Sequence, residues 1–307
     1  MNDSPAPLVS VVIPSYNHAR YISRALQSVL NQTFTNYEVI VIDNHSTDNT
    51  DEVIASFTDP RIIYLKIHNN GIIAASRNAG IRAAKGEWIA FLDSDDWWTN
   101  DKLQVCFNCV DEKVDLVYHD LEIVTNQHHR FREKTLKSRP VKAPVLMDLL
   151  LKGNAIANSS VLVRKSLLAE IGGINESQKM IATEDYNAWL RISKLSNQFL
   201  YLQQTLGYYL IHNQSASKKD MSESYKESID EFIDSLNGQQ RRIIESNAAY
   251  MSGRYYYTKK EYRIAFIKLL ACLVGGRVEV VLRAIFLLVL IICKKPINRL
   301  FRKERLS

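Results

Sequence analysis

Two aspartates, Asp93 and Asp95, follow a short apolar run and are the residues whose type and spacing most directly indicate chemistry. The run, Trp88 to Leu92, is aromatic and branched, which predicts a buried strand. Because an unpaired carboxylate cannot stay buried, the strand must end at Asp93 and present its acids to a surface or a cleft. Two carboxylates at one strand end suit Mg²⁺ or Mn²⁺, which proteins bind through one or two carboxylates together with substrate phosphates. The same residues would also suit a solvated turn before a helix.

Strand and helix patterns alternate along the chain before these acids. Branched apolar runs at residues 8–13, 37–42 and 62–67 predict strands, and helical spacing of apolar residues follows each of them. This alternation is typical of a doubly wound α/β sheet, in which the ligand cleft lies at the carboxyl ends of the strands. Three of the predicted strands end in polar or acidic residues. The sequence therefore predicts a functional site at that edge of the sheet.

The basic charge is confined to the end of the chain. The net charge is +6, and from Arg277 onward eight Lys or Arg stand against two Glu, so the preceding residues are formally neutral. Residues 284–293 are all apolar, but a bilayer span needs about 20 residues. The pattern predicts a helix lying on an anionic membrane surface, with a helix packed into the core as the alternative, and it argues against a nucleic-acid partner.

The cysteines and the first residues bear on the cellular compartment. Cys106 and Cys109 form a CxxC within a helical pattern, and no second pair completes a zinc site, which favours core packing. No disulfide framework is indicated, as is typical of a reducing compartment. Residues 1–10 have neither the basic nor the apolar region of a secretory signal. A cytoplasmic location is expected.

Several motifs together resemble the family 2 glycosyltransferases of GT-A fold. In chain order they are VSVVIPSYNHARYISRALQSVLNQTF, VIVIDNHSTDNT, NNGIIAASRNAGI, GEWIAFLDSDD and TEDYNAWLRI. The resemblance covers residues 8–217 and implies a GT-A doubly wound mixed sheet. It also implies transfer of a sugar from a nucleotide-sugar to an acceptor hydroxyl with inversion, and a divalent cofactor, Mn²⁺ or Mg²⁺.

The resemblance assigns roles to residues by position. Asp185 matches the catalytic base, and Glu184 and Trp189 match the acceptor side. Asp93, Asp95 and His212 match the metal site. The positions that match donor-binding residues are Pro14, Tyr16, Asn17, Asp43, Arg77 and Ser94.

Two positions depart from the family pattern. Leu210 stands where many members have an arginine two residues before the histidine. The second loop reads Asp43-Asn44-His45 where Asp-Asp-Gly is commoner. The acid that matches the reader of the base, typically uracil, is nevertheless present at Asp43, so a UDP-sugar is the expected donor.

Three regions are expected, namely a GT-A domain at 1–218, a helical extension at 219–276 and a basic amphipathic membrane-associating tail at 277–307. The expected partners are the nucleotide-sugar, a glycan or lipid-linked acceptor of bacterial surface polysaccharide or oligosaccharide synthesis, and the inner face of the cell membrane. Nothing in the sequence indicates the oligomeric state.

Other classes of protein fit the sequence less well. A nucleotidyltransferase would have a Gly-rich phosphate loop after the first strand, where this chain has residues 14–17 without glycine. A dinucleotide-dependent oxidoreductase is disfavoured because no GxGxxG follows a strand. A catalytically silent sugar- or lipid-binding scaffold is disfavoured because both Asp95 and Asp185 are present.

Overall fold

The computed structural model describes residues 6–125, 134–212 and 219–294. Contacts divide the chain into two compact units, one of Met1–Leu149 and Asn154–His212 and one of Leu150–Gly153 and Asn213–Ser307. The division after residue 212 lies close to the predicted boundary at 218, whereas the predicted boundary at 277 falls inside the second unit. The part of the predicted tail after residue 294 lies outside the described residues.

The first unit contains a mixed β-sheet in which neighbouring strands follow the order β3-β2-β1-β4-β8-β6-β9-β5, with β7 paired to β6. Strands β1 to β4 are parallel to one another, and β8 is antiparallel to both β4 and β6. This arrangement confirms the predicted mixed α/β sheet. The strands are β1 (Val9–Ser15), β2 (Tyr37–Asp43), β3 (Ile62–Lys66), β4 (Trp88–Phe91), β5 (Trp97–Trp98), β6 (Leu116–Thr125), β7 (Lys134–Leu136), β8 (Leu162–Arg164) and β9 (Phe199–Ile211).

Helices connect these strands and cover their apolar side chains. In α1 the buried residues Ile22, Ala25, Leu26 and Val29 recur at helical spacing and join one core cluster with β1, β2 and β4. Cys106 is buried in this cluster, as predicted, but Cys109 is exposed, so the prediction of core packing is wrong for it. The helices are α1 (Ala19–Leu30), α2 (Thr50–Ala55), α3 (Ile73–Ala83), α4 (Lys102–Asn108), α5 (Val145–Lys152), α6 (Lys165–Glu170) and α7 (Glu184–Leu195).

The central strands are buried along their whole length and end where polar residues begin. Every residue of β1, β2 and β4 is buried. Strand β1 continues through Pro14 to Ser15, although the sequence predicts that Pro14 ends it. A proline is tolerated near a strand end because it removes only one ladder hydrogen bond. Strand β4 ends at Phe91, two residues before Asp93, the first of the predicted acids.

The second unit is helical, as expected for the extension at 219–276. Its helices are α8 (Ser222–Ile229), α9 (Gly238–Thr258), α10 (Tyr262–Ala271) and α11 (Val278–Lys294). A capping box starts α9, since the Asn237 side chain accepts hydrogen bonds from the Gln239 and Gln240 N–H groups. The separate segment of this unit is tied to α9, because Asn247 Nδ2 donates to the Leu151 carbonyl over 3.0 Å.

Helix α11 packs through one face only. Its residues Ala284, Leu288 and Ile291 form a core cluster with residues of α10. The first part of the predicted tail is therefore also a structural helix, because this face contributes buried residues to the core of the second unit. Within the described residues, none of the helices combines the length and apolar character needed to cross a bilayer.

We expect Gly80→Ala to lower the free energy of unfolding by about 1–3 kcal/mol, because the added methyl group overpacks the contact of α3 with the sheet. A Cβ at this position would lie 2.5 Å from Val12 Cγ1 and 2.7 Å from Ile42 Cδ1. Urea unfolding measures the change. Gly238→Ala is the matched control, because no atom lies within 4 Å of its added Cβ. Equal stability of the two variants would contradict the packing described.

Candidate functional site

Loops at the carboxyl ends of β1 and β2 are held together by hydrogen bonds. The Asn17 N–H donates to Ser46 Oγ over 2.8 Å, and Asn17 Oδ1 accepts from the Thr47 N–H over 2.7 Å. Asn17 has a positive φ of 53°, a conformation that asparagine tolerates better than most residues. These bonds fix the loop that presents Tyr16, a residue that is 52% exposed. Two of the predicted donor-binding residues, Tyr16 and Asn17, thus lie on one fixed loop.

Asp43 lies at the end of β2 and is fully buried. Its carboxylate accepts hydrogen bonds from both the N–H and the hydroxyl of Ser46. These bonds satisfy the buried charge. Pro14 is also buried, one residue before the end of the neighbouring strand. The role of Asp43 in reading a nucleobase stays a prediction.

A buried ion-pair network lies at the end of β4. Arg77 on α3 has an almost fully buried side chain, and its two terminal nitrogens donate to two different acids. Nη2 lies 2.8 Å from Asp93 Oδ1, and Nη1 lies 2.5 Å from Glu184 Oε1. Burial lowers the pKa of Arg77, but both carboxylates outweigh this effect and the pKa is raised. Arg77 therefore joins the end of β4 to the start of α7.

This network leaves several polar atoms buried without a hydrogen-bond partner. They are Arg77 Nε, Glu184 Oε2 and Asn158 Oδ1, although Asn158 Nδ2 donates to Asp93 Oδ1 over 3.0 Å. Folded proteins rarely leave such groups unsatisfied except at sites with a further role. The predicted diphosphate contact of Arg77 stays a prediction, because both its terminal nitrogens bind carboxylates.

Asp95 and His212 form a second pair of predicted site residues. His212 Nε2 lies 2.9 Å from Asp95 Oδ2, and the His212 ring stacks on Tyr21 with centroids 5.1 Å apart. Ser94, the residue before Asp95, is buried, and its hydroxyl lies 2.6 Å from His18 Nδ1. Ser94 and Asp95 therefore have partners from the residue before α1 and from the residue after β9.

The predicted metal site offers few ligands for a divalent cation. Among the residues that the structure describes, no three His, Cys, Asp or Glu side chains are grouped so that they could hold a metal ion. Asp93 bonds to Arg77 and Asn158, so the predicted set of Asp93, Asp95 and His212 is not assembled as three ligands. The oxygen of Asp95 and the nitrogen of His212 nevertheless fit a cation whose remaining ligands are phosphate oxygens.

Asp185 lies in the first turn of α7 beside Glu184. Its side chain is partly exposed, unlike that of Glu184. Desolvation by the surrounding protein and the neighbouring Glu184 carboxylate raise the pKa of Asp185 to about 7, against the opposing charge of Arg77. A carboxylate with such a pKa can accept a proton near neutral pH. Thr183 precedes the helix, and its hydroxyl donates to the Met180 carbonyl instead of accepting from the first turn of α7.

For Trp189 and Asp96, the sequence does not distinguish a residue that contacts a ligand from one that supports the site by packing or hydrogen bonding. Trp189 is fully buried near Phe91, so it can support an acceptor surface only through packing. Asp96 is buried, accepts hydrogen bonds from Ser159 Oγ and the Leu210 N–H, and has its pKa raised by burial and by neighbouring acids. It holds the acidic loop in place. The only sign of this role in the sequence is the position of Asp96 in the run of acids. Nothing in the sequence indicates that Asn158 contacts Asp93.

Comparison with known families identifies the chain. The sequence profile of the family described as "Glycosyl transferase family 2" matches residues 10–171, more than half of the chain. The chain belongs to glycosyltransferase family 2. This confirms the resemblance that the motifs indicate, and the protein is a glycosyltransferase.

Characterised relatives support the same assignment. The chain is 33% identical over 191 residues to the UDP-Glc:alpha-D-GlcNAc-diphosphoundecaprenol beta-1,3-glucosyltransferase WfgD of Escherichia coli, covering 62% of this glycosyltransferase and 71% of WfgD. It is 32% identical over 222 residues to WfaP of Escherichia coli, which has the same named activity, covering 72% and 84% of the two chains.

Solved structures share the fold. A structure of TarS residues 1–349 from S. aureus in complex with UDP-GlcNAc has a TM-score of 0.63 at 20% identity and covers 89% of this glycosyltransferase and 82% of that chain. The mannosyltransferase PcManGT from Pyrobaculum calidifontis, in complex with GDP-Man and Mn²⁺, has a TM-score of 0.58 at 17% identity, covering 95% and 82% of the two chains. At these identities the likeness shows the fold, which is that of GT-A glycosyltransferases.

We expect Arg77→Met to lower the free energy of unfolding by about 3–5 kcal/mol, because it leaves the buried Glu184 carboxylate without its cation. Urea unfolding of Arg77→Met, of Glu184→Gln and of the double variant measures the coupling. The double variant should lose less stability than the two single variants together. Lys226→Met is the control, because its pair with Glu223 is exposed and should contribute less than about 1 kcal/mol. Strict additivity at Arg77 and Glu184 would contradict the described network.

Proposed function

We propose that this glycosyltransferase transfers a sugar from a UDP-sugar to a hydroxyl of a lipid-linked acceptor, with inversion at the anomeric carbon. The names of WfgD and WfaP support a UDP-sugar donor and a diphospholipid acceptor, and they make UDP-glucose the first donor to test. The reaction would serve bacterial surface polysaccharide or lipid-linked oligosaccharide synthesis. The observation that carries the proposal is the Arg77 network, which gathers the acids of β4 and α7 around one buried guanidinium.

Asp185 is the proposed general base. The acceptor hydroxyl is a poor nucleophile until its proton is removed, and a positioned base contributes about 10²–10⁴-fold to the rate. Glu184, held by Arg77, raises the proton affinity of Asp185 without competing for the same contact. Inversion requires a single displacement, so the enzyme needs no nucleophile of its own.

The donor would bind across the loops after β1, β2 and β4. Tyr16 offers an exposed ring, and Asn17 and Asp43 hold the loops that surround it. We assign the base and ribose to this part of the site, with Pro14 and Ser94 shaping its floor. Arg77 acts on the donor through the position of Asp93.

A divalent cation, Mn²⁺ or Mg²⁺, would be held by Asp95 and His212 together with the donor diphosphate. It would offset the charge that builds on the leaving diphosphate. Asp93 lies on the same loop and contributes its charge to this region. Removal of the cation with a chelator should therefore weaken donor binding as well as transfer.

Incubation with Mn²⁺ and a panel of nucleotide-sugars tests the reaction class. We expect slow release of nucleoside diphosphate from UDP-glucose, and β-linked product when a diphosphoprenyl GlcNAc acceptor is added. Release of pyrophosphate would instead indicate a nucleotidyltransferase. No reaction with any donor and acceptor would favour a silent scaffold.

We expect Asp185→Asn to abolish transfer and to leave donor binding unchanged, because the amide keeps the shape of the side chain but cannot accept the proton. In the unaltered enzyme kcat/KM should fall about tenfold per pH unit below a pKa of about 7 and level off above it, since the base must be deprotonated. Initial rates and donor titration calorimetry measure both effects. Glu52→Gln, a carboxylate-to-amide change at an exposed position, is the control. Equal loss of donor binding and transfer in Asp185→Asn would remove the base assignment.

The proposed lipid-linked acceptor places part of the enzyme at a membrane, and the second unit has a surface that suits it. Thirteen large apolar side chains of the described residues are exposed, and ten of them lie on or beside α10 and α11. These ten, which we term the apolar face, are Ile264, Ile267, Leu270, Val274, Val278, Leu282, Ile285, Phe286, Val289 and Ile292.

The charge next to the apolar face favours an anionic lipid surface over a protein partner. On α11 the exposed apolar positions recur at helical spacing opposite the packed residues Ala284, Leu288 and Ile291. Lys294 ends the helix, and the sequence beyond it has five further Lys or Arg against one Glu. Basic residues beside an apolar helix face are typical of helices that lie in the headgroup region. The proposal includes a peripheral location on the inner face of the cell membrane.

We expect the double variant Leu282→Gln/Phe286→Gln to reduce binding to vesicles containing phosphatidylglycerol by roughly 100-fold, because each side chain loses a burial of about 1.5 kcal/mol or more. Vesicle co-sedimentation of the full chain measures it. Leu195→Gln removes a comparably exposed leucine from the first unit and should leave binding unchanged. A different result would contradict the membrane proposal: the unaltered enzyme does not bind vesicles but forms a dimer, and the double variant is monomeric. The apolar face would then be a contact between two copies of the chain.

A further inference from the structure

A cleft of about 580 Å³ opens in the second unit, separate from the loops at the strand ends. One wall is the second half of α9, and the other is the short segment before α8. The lining residues are Lys219, Met221, Tyr250, Met251, Arg254, Tyr255, Thr258 and Lys259. We propose that this cleft binds a phosphate ester that carries an apolar or ring-containing group.

The charge of the cleft has one sign. Lys219, Arg254 and Lys259 line it, and among the described residues no carboxylate does. Within the described residues none of these three cations has a carboxylate partner; only Lys259 has a further contact, with the ring of Tyr255 at 5.6 Å. The nearest acid in sequence, Asp220, accepts hydrogen bonds from the Ser222 N–H and Ser252 Oγ and is thereby satisfied. Three unneutralised cations in one concavity favour an anion with more than one negative charge.

Isolated surface lysines need no ligand, and a cation at the end of a helix is favoured by the helix dipole. That explanation covers Lys259, which follows the last residue of α9. It does not cover Arg254, which lies a full turn before the end, or Lys219 on the opposite wall. Arginine presents a planar fork that matches two phosphate oxygens.

The uncharged lining specifies the rest of the ligand. Tyr250 and Tyr255 offer aromatic faces and hydroxyl groups, and Met221 and Met251 offer adaptable apolar contacts. The volume is in the range of small-molecule sites, about 300–1,000 Å³, and exceeds what a free phosphate ion would fill. A phosphate or diphosphate attached to a prenyl chain or a sugar therefore fits both the charge and the size.

Two sources supply this chemistry in the proposed setting. One is the diphosphate of a lipid-linked acceptor, an identification that rests on the proposed function. The other is the headgroup of a bilayer phospholipid. Binding of a phosphate ester by the cleft does not depend on which source applies.

Titration calorimetry of the full chain with farnesyl diphosphate, in the presence of saturating UDP to occupy the donor site, tests the cleft. We expect binding that Arg254→Gln and Lys259→Gln each weaken by about tenfold, since each loses a charge-assisted contact. Lys260→Gln is the matched control, because it removes the same charge one residue beyond the lining. Circular dichroism of each variant confirms that the helical unit is folded.

The arms of the experiment separate the two sources. If farnesyl diphosphate binds and the binding depends on Arg254, the ligand of the cleft is a diphosphate of the kind carried by a lipid-linked acceptor. Binding only to phosphatidylglycerol vesicles, with the same dependence on Arg254 and Lys259, assigns it to a headgroup. Binding of neither probe, or binding that Lys260→Gln weakens as much as Arg254→Gln, overturns the proposal. If neither the unaltered enzyme nor any variant releases nucleoside diphosphate, but farnesyl diphosphate still binds, the proposed function is contradicted. The proposal that the cleft binds a phosphate ester would still hold.

Discussion

The buried guanidinium of Arg77 is the constraint on which the site depends. A charge taken out of water requires compensation within hydrogen-bond distance, and here the compensation comes from two acids far apart in sequence, Asp93 and Glu184. Satisfying that single cation aligns the end of a parallel strand with the first turn of a later helix. The network therefore determines where the neighbouring carboxylates, Asp95 and Asp185, are held.

The supporting contacts follow the same logic of satisfying polar groups at strand ends. Asp96 is buried and receives hydrogen bonds from a serine and from the backbone of β9, so the acidic loop cannot swing freely. Asp43 is held by Ser46, and Asn17 joins the loops after β1 and β2. Each bond removes conformational freedom before a ligand arrives, which reduces the entropy that ordering the site would otherwise cost on binding.

Sequence patterns predicted most of the sheet, because the apolar runs that fill β1, β2 and β4 are visible without knowing their neighbours. They also predicted that Asp93 and Asp95 begin where β4 ends. Contacts between residues distant in the chain could not be predicted from local sequence patterns. Nothing near Arg77 indicates that both its terminal nitrogens are taken by acids, and the aromatic character of Trp189 gives no sign of complete burial. For α11 the apolar run suggested either a helix on a membrane surface or a core helix. In the fold one face of α11 packs into a core, and the other face is exposed.

The second unit begins earlier in the chain than its helices do. Residues Leu150–Gly153 belong to it, Leu150 is fully buried, and the carbonyl of Leu151 is bonded to α9. The chain thus contributes four residues to the second unit, then residues 154–212 to the first unit, and after His212 the remaining residues to the second unit. If a single crossover after His212 exchanged the carboxyl-terminal helices between related enzymes, the core of the second unit would combine residues from two different parent sequences. Recombination that preserves folding must carry the four-residue excursion along with the carboxyl-terminal helices, which links the evolution of the two segments.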